Sequence, residues 1–306
     1  MICTCTINPS LDYYMEFSEP LEAGKTNRSD LEYYEAGGKG INISIVLSNL
    51  GVPSRAFGFL GGFTKDFYIR LLTKYQDIRP NFSYIDGNTR INVKCNSTTD
   101  TNMNACGPYI QDKDLDNLAG KLNTLYENDV LVLAGNTPSY TVEHMVSILK
   151  KLQADGIKVV LDTDAELVKS MLSTEIFLLK TTKEEVKELV SYPVETIEDM
   201  NRAAKELHAL GVENVMVLDT DGNAVLACKE GTFQCDVLDP TTIVNTVGTG
   251  DSLVAGFLME YNRSRNIVDS FRFGACCGSA TAYSKGMATR EKIESFSHSV
   301  EVRKID

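Results

Sequence analysis

Apolar residues recur along this chain with two periods, every second position and every three to four, and the two alternate over most of its length. Residues 1–7 read as a strand. Residues 13–36 read as extra strands outside the main sheet, because Tyr13, Tyr14, Met15, Phe17, Leu31, Tyr33 and Tyr34 form a broken, aromatic alternation. Gly37-Gly38-Lys39-Gly40 opens a helix through Ile41, Ile45, Val46 and Leu50, which Gly51 stops. A strand over Ser54–Leu60 and a helix to about residue 77 come next. Thr89 to Lys94 and Asn102 to Pro108 pair as a hairpin across a polar turn.

Beyond residue 110 the rhythm becomes regular. Helices are expected near 111–125, 139–155, 183–191 and 196–210, and strands at Val130–Ala134, Lys158–Leu161, Ile176–Leu179 and Val215–Leu218. Asn223–Cys228 and Thr232–Val237 read as a second hairpin, and helices near 251–264, 267–285 and 290–299 follow. Such alternation predicts an α/β fold, a mostly parallel sheet covered by helices on both faces. No repeat, low-complexity stretch or linker interrupts it, so residues 1–306 are expected to form one unit.

Composition narrows the function. A chain of 306 residues, 43% hydrophobic and 24% charged, is globular, and a net charge of -12 argues against nucleic acid or an acidic membrane as partner. An anionic ligand must then meet a local cluster of positive groups. No stretch approaches the ~20 apolar residues of a membrane span, and Met1–Ile7 lacks the basic start of a leader, so a cytoplasmic location is expected. Eight cysteines without a C-x-x-C pair are expected to be packed thiols. His144, His208 and His298 are scattered, which supports neither a zinc site nor a Ser-His-Asp triad.

Candidate chemistry centres on Asn245-Thr246-Val247-Gly248-Thr249-Gly250-Asp251-Ser252. The apolar pair Ile243 and Val244 leads in, and Leu253, Val254, Phe257, Leu258 and Tyr261 continue at helical spacing, giving strand, tight turn and helix start. The unpaired first amides of a helix behind two glycines make an anion cradle, and Asp251 adds a carboxylate at its mouth. Asp and Ser at a helix start also serve as ordinary caps. Leu253 stands where a dinucleotide fingerprint needs its third glycine, and Gly37-Gly38-Lys39-Gly40 lacks the remaining parts of a Walker A loop. This second cluster is another anion-friendly helix start, with Asn42 one turn in. Asp12, in Asn8-Pro9-Ser10-Leu11-Asp12, is expected just past a strand end, where open sheets place ligands and where turn caps also occur. Arg90, Asn92 and Lys94 share one strand face, which suits a phosphate clamp and equally a solvated edge.

Asn8 to Asp12, Ala36-Gly37-Gly38-Lys39-Gly40-Ile41-Asn42, Thr89 to Lys94 and Val247 to Ser252 together resemble the motifs of the PfkB (ribokinase-like) carbohydrate kinases, in the branch of 1-phosphofructokinase and tagatose-6-phosphate kinase. The resemblance implies a doubly wound α/β domain with a small β-sheet lid from about 13–36 and 89–106. It also implies ATP and Mg²⁺, a sugar phosphate as acceptor, and a homodimer joined through the lids. Fructose 1-phosphate phosphorylated at O6 is the implied reaction, with tagatose 6-phosphate at O1 as the rival and a binding protein without turnover as a third reading.

Carried over by position, Asp251 is the base, with Gly248, Thr249 and Gly250 around the transferred phosphoryl. Asp12, Gly38 and Asn42 would hold sugar hydroxyls and Lys39, Arg90 and Lys94 the sugar's existing phosphate, with Gly37, Asn92 and Asn104 also on the substrate side. Thr182, Lys183, Asp219, Gly222, Thr246 and Ser279 fall along the nucleotide site, and Glu185 would reach the metal through water. Ser279 also suits plain helix packing, and Lys183 a solvent-facing position. Two positions depart from the branch. Thr181 and Thr182 replace proline and asparagine in a Lys-Pro-Asn-x-x-Glu segment, and Asp219 replaces a glycine, so contacts to ATP and metal are expected to differ.

Overall fold

The computed structural model describes residues 1–219, 222–235, 243–297 and 299–306. Strand β1 (Ile2–Thr6) is buried along its whole length. The chain then leaves the main sheet for β2 (Ser10–Glu16) and β3 (Leu31–Gly37), and returns through α1 (Lys39–Asn49), β4 (Ser54–Gly61) and α2 (Gly62–Leu72). Short β5 (Ile78–Pro80) and β6 (Ser83–Ile85) both pair with β4, before a second departure into β7 (Arg90–Asn96) and β8 (Thr101–Met103). Next come α3 (Asp112–Leu122), β9 (Val130–Ala134), α4 (Val142–Ala154), β10 (Lys158–Asp162) and α5 (Ala165–Met171). They are followed by β11 (Ile176–Thr182), α6 (Lys183–Val186), α7 (Ile197–Ala209) and β12 (Val215–Leu218). The last elements are β13 (Ala224–Cys228), β14 (Gly231–Cys235), α8 (Thr249–Ser264), α9 (Ile267–Ala282), α10 (Arg290–Phe296) and β15 (Val302–Lys304).

The large sheet runs β15-β14-β13-β12-β11-β10-β9-β1-β4-β5, parallel from β5 to β12 and antiparallel from there to β15. Its central strands are apolar on both faces because helices cover both. Leu131, Leu133, Val159 and Leu161 face one core with α3, α4, α5 and α7; Val130, Val132, Val160 and Phe177 face the other with α1, α8 and α9. Gly256 and Gly274 let α8 and α9 touch closely: a Cβ on Gly256 would lie 3.0 Å from the Gly274 Cα.

A separate four-stranded sheet, β3-β2-β7-β8, makes the lid expected outside the main sheet. Its register puts Asp12 beside Asn92 and Tyr14 beside Lys94, so one face is polar. Tyr13, Met15, Tyr34, Ile91, Val93 and Met103 alternate onto the other. Strand β7 lies between β2 and β8, so its basic face does not protect an edge.

Several sequence expectations are corrected. Asp12 lies inside β2, since the lid begins at Ser10. Ile243 and Val244 form no strand: Val244 is 60% exposed, and the Val244 and Asn245 amides instead donate to the Ala282 carbonyl at 2.8 and 3.0 Å. The helix expected over 183–191 ends at Val186, after which the chain tightens into turns with Glu188 N–H donating to Glu185 O and Leu189 N–H to Val186 O. The helix expected to residue 77 stops at Leu72, and α5 rises behind Asp164 without the long periodic run that would announce it. The end of the second hairpin at 236–237, and His298, lie outside the described residues. All eight cysteines are free thiols, buried except Cys106, and among the described residues no helix is long and apolar enough to cross a membrane.

Candidate active site

Two helix starts converge at the carboxyl edge of the large sheet. Gly248 caps α8 in the left-handed region, φ 78°, and a Cβ there would collide with the Met287 methyl. The first intrahelical bond runs from Ser252 N–H to Gly248 O at 2.8 Å, so the amides of Thr249, Gly250 and Asp251 remain available. Among the described residues no side chain caps them. Gly38 caps α1 at φ 124°, again without a side-chain cap, and Asn42 N–H returns to its carbonyl at 2.9 Å. Gly40 is small because α1 presses on β1: its Cβ would lie 2.6 Å from Thr6 Oγ1.

Asp251 sits in the first turn of α8, 5% exposed. Asn42 Nδ2 donates to its Oδ2 at 2.8 Å and so joins the two helix starts. Burial, and then the negative charge of Asp162, push the Asp251 carboxyl up to about 6; Lys180, Asn42 and Lys39 restrain the rise. A carboxylate held there is ionised at neutral pH and is a stronger base than a solvated one.

Lys39 does not turn toward Arg90 and Lys94. Its Nζ donates to Asp162 Oδ1 at 2.8 Å and lies 3.4 Å from Glu185 Oε1. Lys180, buried at the end of β11, donates to Asp162 Oδ1 at 3.2 Å; Oδ2 is 3.1 Å away but off the hydrogen-bonding direction. Burial alone would raise the Asp162 carboxyl, yet Lys180 and Lys39 hold it below the usual range. Burial likewise opposes the Lys39 charge, but Asp162 and Glu185 keep that ammonium above its ordinary value. Asp162 and Lys180 were not among the sequence candidates. The signal was present, a single charge near the carboxyl end of each of two apolar strands, Lys158-Val159-Val160-Leu161-Asp162 and Ile176-Phe177-Leu178-Leu179-Lys180.

The polar lid face gathers a second group. Asp12 Oδ1 accepts from Ser10 Oγ at 2.7 Å and Asn92 Nδ2 at 2.9 Å, and Gly37 leaves room for its other oxygen. Burial raises the Asp12 carboxyl, against the pull of Ser10, Lys94, Asn92 and Arg90. Arg90 donates to the Asn8 and Ala105 carbonyls, each at 3.2 Å, and Lys94 Nζ to Asn104 Oδ1 at 3.2 Å. The structure therefore brings Asp12, Gly37, Arg90, Asn92, Lys94 and Asn104 together.

On the far side of α8 lies a cavity of about 290 Å³, lined by Thr182, Asp219, Gly222, Thr246, Thr249 and Ser279, with Ala224, Leu253, Ala275 and Ala282 as an apolar wall. Lys183 does not line it. A second cavity of about 580 Å³ lies between the polar lid face, at Tyr14, Tyr33 and Lys94, and the segments 243–247 and 285–287, and it shares Ile243, Asn245 and Thr246 with the first. The two departures have local explanations. The Thr182 hydroxyl accepts from Glu185 N–H at 3.1 Å while Glu185 Oε2 accepts from Thr182 N–H at 2.9 Å, a reciprocal cap that fixes Glu185. The Asp219 carboxylate closes its own turn, accepting from Asn223 N and Nδ2, both at 2.8 Å. Among the described residues no three His, Cys, Asp or Glu side chains group as a metal cage. The Glu185 carboxylate has the chemistry of a water-mediated Mg²⁺ contact, since that ion usually keeps its waters and binds one or two carboxylates plus phosphate oxygens.

Comparison with known proteins places the chain in a family. Residues 7–293 match the profile of the pfkB family carbohydrate kinases. A 1-phosphofructokinase of Bacillus subtilis is 35% identical, with all of both chains covered. A D-tagatose-1-phosphate kinase of Bacillus licheniformis is 28% identical over 99% of each chain. The crystal structure of phosphofructokinase-2 from Escherichia coli in complex with substrates and products superposes with a TM-score of 0.90 at 22% identity, covering 97% of this chain and 98% of that one, a likeness of fold.

Proposed function

The chain belongs to the pfkB family of carbohydrate kinases, and from that premise we propose that it transfers the γ-phosphoryl group of ATP to O6 of fructose 1-phosphate. It is a sugar-phosphate kinase. The observation that carries the reading is Asp251: buried, hydrogen-bonded by Asn42, and placed between amides without helical partners and two lysines.

In this reading Asp251 accepts the O6 proton as oxygen attacks phosphorus. The Thr249 and Gly250 amides, behind the Gly248 turn, stabilise charge on the phosphoryl in flight. Phosphoryl transfer needs little else than positioning and electrostatics. Arg90 and Lys94 grip the 1-phosphate from the lid, with Asn104 holding Lys94, while Asp12 and Asn42 orient the hydroxyls and Asn92 fixes Asp12. Gly37 and Gly38 give the sugar access. The adenine ring takes the cavity beside Asp219, Gly222, Thr246 and Ser279. Mg²⁺, with Glu185 reached through water, would neutralise nucleotide phosphates when bound. Residues 1–306 act as one kinase unit with β2, β3, β7 and β8 as its lid. The apolar lid face, where Tyr34 is 39%, Ile91 37% and Met103 54% exposed, is the surface through which two copies pair.

One observation favours a second substrate. The Bacillus licheniformis relative carries tagatose 1-phosphate in its name, a sugar that keeps the phosphate at C1 and differs from fructose 1-phosphate in configuration at C4. Comparison of kcat/KM for fructose 1-phosphate, tagatose 1-phosphate and tagatose 6-phosphate tests the assignment. Fructose 1-phosphate is expected to lead; a clear preference for either tagatose phosphate overturns it.

A further inference from the structure

We infer that Asp162 is a positioning residue for phosphoryl transfer, holding the ammonium groups of Lys39 and Lys180 together at the junction of α1 and α8 so that both meet the transferred phosphoryl. The inference rests on the kinase reading and deepens it. Three elements unrelated in sequence supply the cluster: Lys39 opens α1, Asp162 ends β10 and Lys180 lies near the end of β11. Asp162 is 0% exposed and Lys180 5%. A Cβ on Gly250 would stand 2.9 Å from Lys180 Cε and 3.1 Å from its Nζ, so this ammonium lies directly under the α8 cradle.

Charge explains the arrangement. The buried Lys180 ammonium and the half-buried Lys39 ammonium would repel, and one buried carboxylate between them makes the pair tolerable. Lys39, Lys180 and Asp162 together leave one net positive charge where a phosphoryl passes. Glu185 is a weaker competitor, its contact to Lys39 being 3.4 Å with a side chain 41% exposed. Lys39 is thereby drawn away from the sugar's own phosphate, which Arg90 and Lys94 serve from the lid.

Initial-rate kinetics on the full chain, with ATP and fructose 1-phosphate varied separately, test the inference through Asp162→Asn, Lys39→Met, Lys39→Arg and the double variant Asp162→Asn/Lys39→Met. Either neutral single variant is expected to lower kcat about 100-fold with the sugar-phosphate KM moved less than about threefold, as for loss of a group acting in the transition state. The double variant should lose no more than about threefold beyond the worse single, since both changes dismantle one unit. Lys39→Arg should recover part of the loss.

Losses that multiply in the double variant overturn the inference. So does a Lys39→Met enzyme with unchanged kcat and a raised sugar-phosphate KM, because that lysine then serves the sugar. If Asp162→Asn does not fold, Lys39→Met against Lys39→Arg decides by the same division between kcat and KM. An unmodified protein that turns over no sugar phosphate defeats the kinase reading itself; turnover unmoved by these variants defeats the inference alone.

Discussion

Helices α1 and α8 approach the ligand cleft with one backbone device and opposite side-chain chemistry. Each starts on a glycine of positive φ, lacks a side-chain cap and leaves its first amides unpaired. At that start α1 carries Lys39 and, one turn in, Asn42, whereas α8 carries Asp251. Amides at a helix start attract any anion. The side chain placed among them differs: a cation adds to the attraction, while a carboxylate raised to about 6 is, in the proposed mechanism, the acceptor for the proton of an attacking hydroxyl. The Asn42–Asp251 hydrogen bond locks the two starts in register.

The sharpest way to break the comparison is Asp251→Asn, which keeps the shape and removes the base. We expect kcat to fall about 10³- to 10⁴-fold, at the upper end for loss of a general base, with sugar-phosphate binding by calorimetry nearly unchanged. The same variant should be more stable. A carboxyl at about 6 in the folded protein, against an ordinary 3.8, disfavours folding at neutral pH by up to roughly 3 kcal/mol. That cost is fully present above about pH 6 and is relieved as pH falls toward 4, so the stability gap should close over that window in thermal melts.

Arg90→Gln comes next and affects the lid alone. The KM for fructose 1-phosphate should rise about 30- to 100-fold with kcat nearly kept, the cost of one charge-assisted phosphate contact. A fall in kcat with KM unchanged would move Arg90 to the reacting end. In the unmodified enzyme, kcat/KM should fall about tenfold for each pH unit below about 6 as Asp251 takes up a proton. A profile flat to pH 5 would contradict that assignment. The smallest effect is expected for Thr182→Asn, within about threefold in ATP KM, because an asparagine side chain can still cap the Glu185 amide. A larger change would show that the Thr182 hydroxyl itself serves the nucleotide.

The sequence was most informative where one local rule governed. Strict alternation in Arg90-Ile91-Asn92-Val93-Lys94 placed its basic face correctly, and glycine pairs marked both helix starts. Longer-range physics stayed hidden. That β7 pairs with both β2 and β8, and so is internal, depends on chain segments some eighty residues apart. Ile243 and Val244 looked like a strand, but strand character needs a ladder partner, and their neighbour is the end of α9. The resemblance assigns Lys39 to the sugar's phosphate, and its ion pair with Asp162, 123 residues away, is not legible from the sequence around it. Asp162 ends one apolar strand and Lys180 lies near the end of another, and only the parallel pairing of β10 with β11 makes them one cluster.

Phosphorus NMR of the product, followed in time with ATP and fructose 1-phosphate for the unmodified protein and Asp251→Asn in parallel, tests the central claim most directly. A new phosphate ester at C6 is expected to grow with the unmodified protein and at least about 10³-fold more slowly with the variant. A new ester at any other carbon, or equal growth in the two samples, would contradict it.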